Sequence, residues 1–265
     1  MEKVKINMVG GGFQHEICSS AKNTPKYVEW DKLGNANISI HIDNGIRYPI
    51  NKLKKNYAWI VESSAFIPDL INWISKNVSY LEDNFELIFT HDKRLLDLSN
   101  KFRLVICNAA PWIIDRKIHN KSKLISMIGS TNKFFGGHIY RHQIMEKYKN
   151  QMDCFGIGHN PIKNKEEGLN DYYFSIAMEN DNYPNIFCEK ITDCFATGTI
   201  PIFWGTPTIG EFFNENGIIM LTDNFKAEDL STDLYHSKME YIKENFERAI
   251  NLPTAEDYIY ENHIK

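Results

Sequence analysis

Short apolar runs, each long enough for one buried strand, recur along the chain with polar or helix-like stretches between them. In the first part they lie at Val4 to Val9, Ile38 to Ile42, Tyr57 to Val61, Leu87 to Thr90 and Leu104 to Cys107. That rhythm is expected of a parallel sheet covered on both faces by crossover helices. Pro68 to Lys76, anchored by Leu70, Ile71 and Ile74, reads as one such helix. A second series starts with a strand at Leu124 to Ile128, then a helix from about His138 to Lys149 and strands at Met152 to Ile157 and Tyr173 to Met178. A helix over about Asn185 to Thr197 leads through Gly198 into a strand at Ile200 to Trp204. Ile218 to Leu221 is strand-like, and helical pattern covers roughly Ala227 to Ala249 and Ala255 to Ile264. Two successive α/β halves predict a two-lobed enzyme with its ligand between the lobes. One larger sheet carrying a long insertion is the alternative.

Charge and cysteine usage narrow the function classes. With 30 Lys and Arg against 34 Asp and Glu, the 265 residues carry a formal net charge of -4. A long basic surface for nucleic acid is not expected, whereas a local positive pocket for a small anion is compatible with that balance. No apolar run reaches the length of a membrane span. The five cysteines are scattered and form no CxxC pair, which suggests reduced thiols. The first residues run into a strand pattern without an apolar leader, so a soluble, cytoplasmic or otherwise intracellular protein is the expectation.

Chemistry concentrates in the second half. Glu179 and Asn180 follow an apolar strand, where ligands sit in parallel sheets. On the next helix, Phe187, Ile191 and Phe195 share one face, Glu189 falls about 200° from Phe187, and Lys190 falls about 300° from it. Glu189 therefore points away from the buried face, with Lys190 at its border. A first-turn lysine gains nothing from the helix dipole but suits a phosphate gathered at the helix start. The other reading is an exposed Glu-Lys pair. Arg141, inside the earlier helix, is either a rigid fork for a diphosphate or a solvated surface group, and Ser130 to Lys133 is a polar loop or turn beside it. Gly10 to Gly12 reads as a sharp turn or as a loop lining an acceptor cleft, because the spacing matches no dinucleotide fingerprint. The nine histidines, His15 among them, form no metal motif; His138 and His142, one turn apart, read as surface residues. Cys188 and Cys194 read as core-packing thiols.

Taken together, Glu179-Asn180, Glu189-Lys190, Gly198-Thr-Ile-Pro-Ile-Phe-Trp-Gly205-Thr-Pro and Ile209 to Ile218 resemble the carboxy-terminal signature of the alpha-1,3/1,4-fucosyltransferase family. Ser122 to Asn132 followed by Arg141 looks like the family's first donor-side strand, loop and arginine-bearing helix. The likeness covers roughly residues 122–225 well. Farther upstream, Ala58-Trp-Ile-Val-Glu62-Ser-Ser resembles the family's acidic strand end, with Ala65 where a proline is usual.

The resemblance implies an α/β chain with a compact GT-B fold of two facing Rossmann-like lobes. Residues 1–118 would form the acceptor-side lobe, 119–250 the nucleotide-sugar lobe, and 251–265 a terminal helix packing back on the first lobe. It further implies an inverting transfer of L-fucose from GDP-beta-L-fucose to a glycan hydroxyl, with an alpha-1,3-type linkage and no metal or other cofactor. The partners would be that donor and an oligosaccharide or glycoconjugate acceptor; a related transferase with a different donor sugar is the alternative. By residue, Arg141 and Lys190 would neutralise the diphosphate, Glu189 would support the sugar's developing positive charge, and Glu62 would be the base. Ser130, Asn132, Glu179, Asn180 and Tyr183 would shape the donor site.

Overall fold

In the computed structural model, which describes residues 2–11, 13, 17–107, 109–134 and 136–265, the apolar runs become strands of two separate sheets. The first holds β1 (Val4–Gly10), β2 (Val28–Asp31), β3 (Ile38–Ile42), β4 (Lys55–Ile60), β5 (Ile88–Thr90) and β6 (Phe102–Leu104), ordered β2-β1-β3-β4-β5-β6. All neighbours in it are parallel. With it belong α1 (Pro68–Lys76), α2 (Val78–Asn84) and α3 (Lys93–Leu96). The period-2 alternation of strands sends side chains to both faces, and both are covered. Along β4, Tyr57 and Trp59 pack with Ile6, Ile40 and Phe89, while Ala58 and Ile60 pack on the opposite side with Leu70, Ile74 and Leu81.

The second sheet holds β7 (Lys123–Ile128), β8 (Asp153–Phe155), β9 (Tyr172–Met178), β10 (Ile200–Trp204) and β11 (Ile219–Met220), ordered β11-β10-β9-β7-β8 and again all parallel. Its helices are α4 (Gly136–Tyr148), α5 (Glu189–Thr197), α6 (Thr232–Ser237) and α7 (Met239–Ile250). The chain finishes in α8 (Ala255–Ile259) and a π-helical turn, Tyr260–Ile264. By contacts it divides into two compact units, one of residues 1–108, 184–186 and 253–265, the other of 109–183 and 187–252. In the first unit, Glu256 accepts from the Ser19 backbone at 2.6 Å, and the two oxygens of Asp257 accept from Lys26 and Tyr27 at 2.8 and 3.0 Å.

Each sheet reverses its strand order once, at β1/β3 and at β7/β9, and such switch points leave a crevice beyond the strand ends. At β1/β3 the crevice is filled by backbone. Gly10, at φ +106°, and Gly45 approach so closely that a Cβ on Gly45 would stand 2.3 Å from the Val9 carbonyl oxygen. The sharp turn read at Gly10 to Gly12 thus begins at Gly10; Gly12 and His15 lie outside the described residues.

Several boundaries differ from the sequence reading. The sixth strand is Phe102–Leu104 rather than Leu104 to Cys107, because Phe102 buries its ring beside α1 and α2 and pairs with Ile88. Strand β2 and helix α2 escaped the pattern: β2 has only Val28 and Trp30 facing inward, too few for an apolar run. The helical pattern over Ala227 to Ala249 resolves into a 3-10 turn followed by α6 and α7.

His91, just past β5, is 5% exposed, and its Nε2 has no hydrogen-bond partner among the described residues. Burial pushes its pKa down to about 4, against the charge of Asp92 and helped by Arg94. A base with a depressed folded-state pKa contributes stability above its ordinary value of 6.5 and loses it as pH falls toward 4. Urea denaturation of wild type and His91→Phe between pH 7 and 4 should therefore show a smaller acid loss in the variant, by up to about 3 kcal/mol. Parallel pH profiles for the two proteins would contradict this assignment.

Candidate active site

At the second switch point the crevice stays open. The face of β9 carrying Phe174, Ile176 and Met178 packs into the apolar core, whereas the other presents Ser175 and Ala177. These small side chains leave a cavity of about 180 Å³, bounded by Gly129 and Ser130 after β7, Arg141 on α4, Lys165 and the start of α5. That volume suits part of a ligand, such as a diphosphate or a pyranose, and is below the roughly 300–1,000 Å³ of a site for a whole drug-sized molecule.

Arg141 is 6% exposed and so is not the solvated surface group. Its Nη2 donates to the Met178 carbonyl at 3.1 Å and to Asn180 Oδ1 at 2.9 Å, and burial lowers its pKa. His138 shares Asn180 Oδ1 through Nε2 at 3.1 Å and is buried, correcting its reading as a surface histidine. Burial, with the Arg141 charge, lowers the His138 pKa and favours neutral imidazole.

Helix α5 begins at Glu189, not near Asn185, whose φ of +65° is incompatible with a helix. Almost the whole helix is buried, including Thr192, Asp193 and Thr197. That overturns the one-faced helical wheel: Glu189, predicted to point away from the core, is 8% exposed. The exposed Glu-Lys pair does not form either, since adjacent helix positions do not face each other. Instead Lys190 pairs with Glu179 at 3.0 Å, and Glu189 pairs with Lys165 at 2.9 Å.

Glu179 is the hub beneath the lysine. It is 2% exposed and also accepts from the Cys188 backbone at 3.0 Å and from the Cys188 thiol at 2.9 Å. Burial disfavours the Lys190 charge, yet its neighbours Cys188, Glu179 and Glu189 hold the ammonium well above the usual lysine range. Burial likewise pushes the Cys188 thiol well up, with the two glutamates adding to the effect. For Glu189, burial works toward protonation, but the Lys165 and Lys190 charges outweigh it and bring the carboxyl down to about 2. Asp193 goes the other way, pushed up to about 6 by burial against the pull of Lys165.

The structure thus brings Ser130, Arg141, Glu189 and Lys190 to one cavity, with Glu179 and Asn180 holding the cations from behind. Asn132 is exposed, its carbonyl accepting from His142, and Tyr183 is half-buried and outside the cavity lining. Glu62 belongs to the first unit, exposed just past β4, with its backbone N–H on Asp43 Oδ1 at 3.3 Å. Sequence reasoning missed Lys165 and Asp193. The i, i+4 spacing of Glu189 and Asp193 was a usable signal for two carboxylates on one helix face. Among the described residues, no group of three or more His, Cys, Asp or Glu side chains has the arrangement of a metal site, and no helix is long and apolar enough to cross a membrane.

Two Rossmann-like units in series, one with a cationic cavity at its switch point, are the make-up of the GT-B fold of glycosyltransferases. Residues 118–247, just under half of the chain, match the model of glycosyltransferase family 10 (fucosyltransferase), carboxy-terminal part. It is 34% identical over 110 residues to the alpha-(1,3)-fucosyltransferase FucT of Helicobacter pylori, a match spanning 40% of this chain and 23% of that protein. The crystal structure of an alpha1,3-fucosyltransferase with GDP-fucose superposes with a TM-score of 0.51 at 15% identity, covering 94% of this chain and 82% of that one. TarM superposes with a TM-score of 0.54 at 12% identity, covering 85% and 54% respectively. At those identities the superpositions establish the shared fold.

The cavity's back wall makes a prediction independent of ligand. A Cβ on Gly137 would stand 2.2 Å from the Asn180 carbonyl oxygen, whereas one on Gly136 meets nothing within 4 Å. Gly137→Ala should destabilise the protein by about 1–3 kcal/mol through overpacking. Gly136→Ala should be neutral or stabilising by up to about 1 kcal/mol. Thermal denaturation of the pair checks the contact; equal effects would refute it.

Proposed function

We propose that this chain is an inverting fucosyltransferase that moves L-fucose from GDP-beta-L-fucose to a glycan hydroxyl, forming an alpha-1,3-type linkage. The observation that carries the reading is the convergence of Arg141, Lys190 and an ionised Glu189 on one switch-point cavity in the part of the chain that matches the family 10 model. The unit of residues 109–183 and 187–252 then holds the donor, and the first unit serves the acceptor. The similar proteins, an alpha-(1,3)-fucosyltransferase and an alpha1,3-fucosyltransferase with GDP-fucose, favour this donor and linkage.

The chemistry follows from where charge develops. As the bond between fucose and GDP breaks, negative charge grows on the diphosphate and positive charge on the sugar. Arg141 and Lys190 meet the former with charged donors that lower the barrier to the extent that they bind the departing phosphate more tightly than the bound substrate. Glu189, ionised at every ordinary pH, faces the latter. Inversion requires a base on the face opposite the leaving group. Glu62 takes that role; its strand end is tied by Asp43, whose Oδ1 accepts from Val61 at 2.8 Å. With two cations on the diphosphate, no metal is needed for leaving-group departure, and turnover should survive dialysis against EDTA.

Single-turnover assays with labelled GDP-fucose on an acceptor array, with calorimetry against GDP, test these assignments. Lys190→Ala and Arg141→Ala should each weaken GDP binding by about 10- to 100-fold, the loss of one charge-assisted hydrogen-bond donor. Glu62→Gln should spare GDP binding and slow transfer by roughly 100- to 10,000-fold. Normal transfer by Glu62→Gln would remove it as the base. A preference of the wild type for another nucleotide sugar would replace fucose with a different donor.

A further inference from the structure

Lys165 enters the cavity from a 3-10 turn, Lys165–Gly168, rather than from a strand end. Its Nζ lies 2.9 Å from Glu189 Oε1 and 2.7 Å from Asp193 Oδ2, bridging two carboxylates one helical turn apart. The same ammonium sits 4.4 Å from the centre of the Trp112 ring, and Asp193 Oδ1 accepts from the Trp112 backbone at 2.6 Å. The turn itself is pinned. Asn164 and Glu167 form a capping box, Glu166 accepts from the Ile114 backbone at 3.0 Å, and the Gly168 carbonyl accepts from Ser126 Oγ at 2.6 Å.

Resting on the donor-site reading above, we propose that Lys165 is a positioning residue, which fixes the Glu189 carboxylate, ionised and in one orientation, at the cavity wall and does not itself bind phosphate. Its ammonium is already committed to two carboxylates and an aromatic face. Lys190, by contrast, pairs with one carboxylate among the described residues, Glu179, and donates to Cys188 Sγ at 2.8 Å. Without Lys165, Glu189 and Asp193 would be two buried carboxylates on one helix face, and one of them would take up a proton. The groups facing Glu189 are Lys165 from the 3-10 turn, Lys190 and Asp193 from α5, Cys188 at its start and Arg141 from α4. Removing Lys165 leaves Lys190 and Arg141 as the cations of that set.

The test uses the full chain, with Lys165→Met to delete the charge at similar length and Lys165→Arg to retain it. Carbon-13 carboxyl titration by NMR, with Glu189→Gln assigning the signal, reads the carboxylate whether or not a donor binds. In Lys165→Met the Glu189 midpoint should rise by at least about one pH unit, and in Lys165→Arg it should stay near the wild-type value. In turnover with GDP-fucose, Lys165→Met should lower kcat by about tenfold or more, while the Kd for GDP changes less than about threefold. A tenfold loss of GDP affinity with an unmoved Glu189 midpoint would overturn the proposal and make Lys165 a phosphate ligand. If the wild type neither binds GDP nor transfers fucose while the midpoints shift as stated, the donor-site reading falls and the fixing of Glu189 by Lys165 stands.

Discussion

Burying charge demands neutrality, and the second unit is arranged around that demand. Glu179, Glu189 and Asp193 are each less than one-tenth exposed, and Arg141, Lys165 and Lys190 border the same cavity. Three carboxylates against three cations leave no net charge when all are ionised. Removing any one member would strand its partner in a poorly solvated place, at a typical cost of about 3–5 kcal/mol. The pairing therefore determines the packing of α5, the bend before it and the turn carrying Lys165. A site able to receive an anion is built from charges that are mutually satisfied beforehand.

The two sheets make opposite use of one topology. Both follow the same doubly wound order, and each has a single switch point. In the first unit, Gly10 and Gly45 let two backbone segments meet where a ligand would otherwise enter. In the second, the corresponding space is kept by Ser175 and Ala177 on one face of β9. The difference lies in a few small residues: glycines that allow close approach, and short side chains that leave a gap without bringing the backbones together.

Much of this was legible in the sequence, and the parts that were not share a cause. Strands such as Ile38–Ile42 and Ile200–Trp204, and the helix Pro68–Lys76, came out at their true limits because tertiary packing agrees with their local pattern. Arg141, Glu189 and Lys190 stood out through their motif. Their partners did not, because a helical wheel assumes one buried face and α5 is enclosed on nearly all sides. Asp193 has its partner in Lys165, 28 positions earlier. Pairing between distant segments has no local signature, so the site's members could be named while its wiring could not.

The hydrogen bonds from Glu256 and Asp257 to Ser19, Lys26 and Tyr27 join residues 230 to 237 positions apart. During synthesis from the amino terminus, the segment feeding β2 emerges early and waits for these carboxylates until residues 256 and 257 have left the ribosome. Every residue of the second unit is available before then. The unit begun first is thus the last to be completed, and in the interval the segment leading into β2 lacks the carboxylates that accept from its backbone, a partly folded state of the kind prone to misassembly. Nascent chains arrested before residue 256 are accordingly the species most exposed to misassembly, and a chaperone acting on this protein would find its substrate at the amino-terminal sheet.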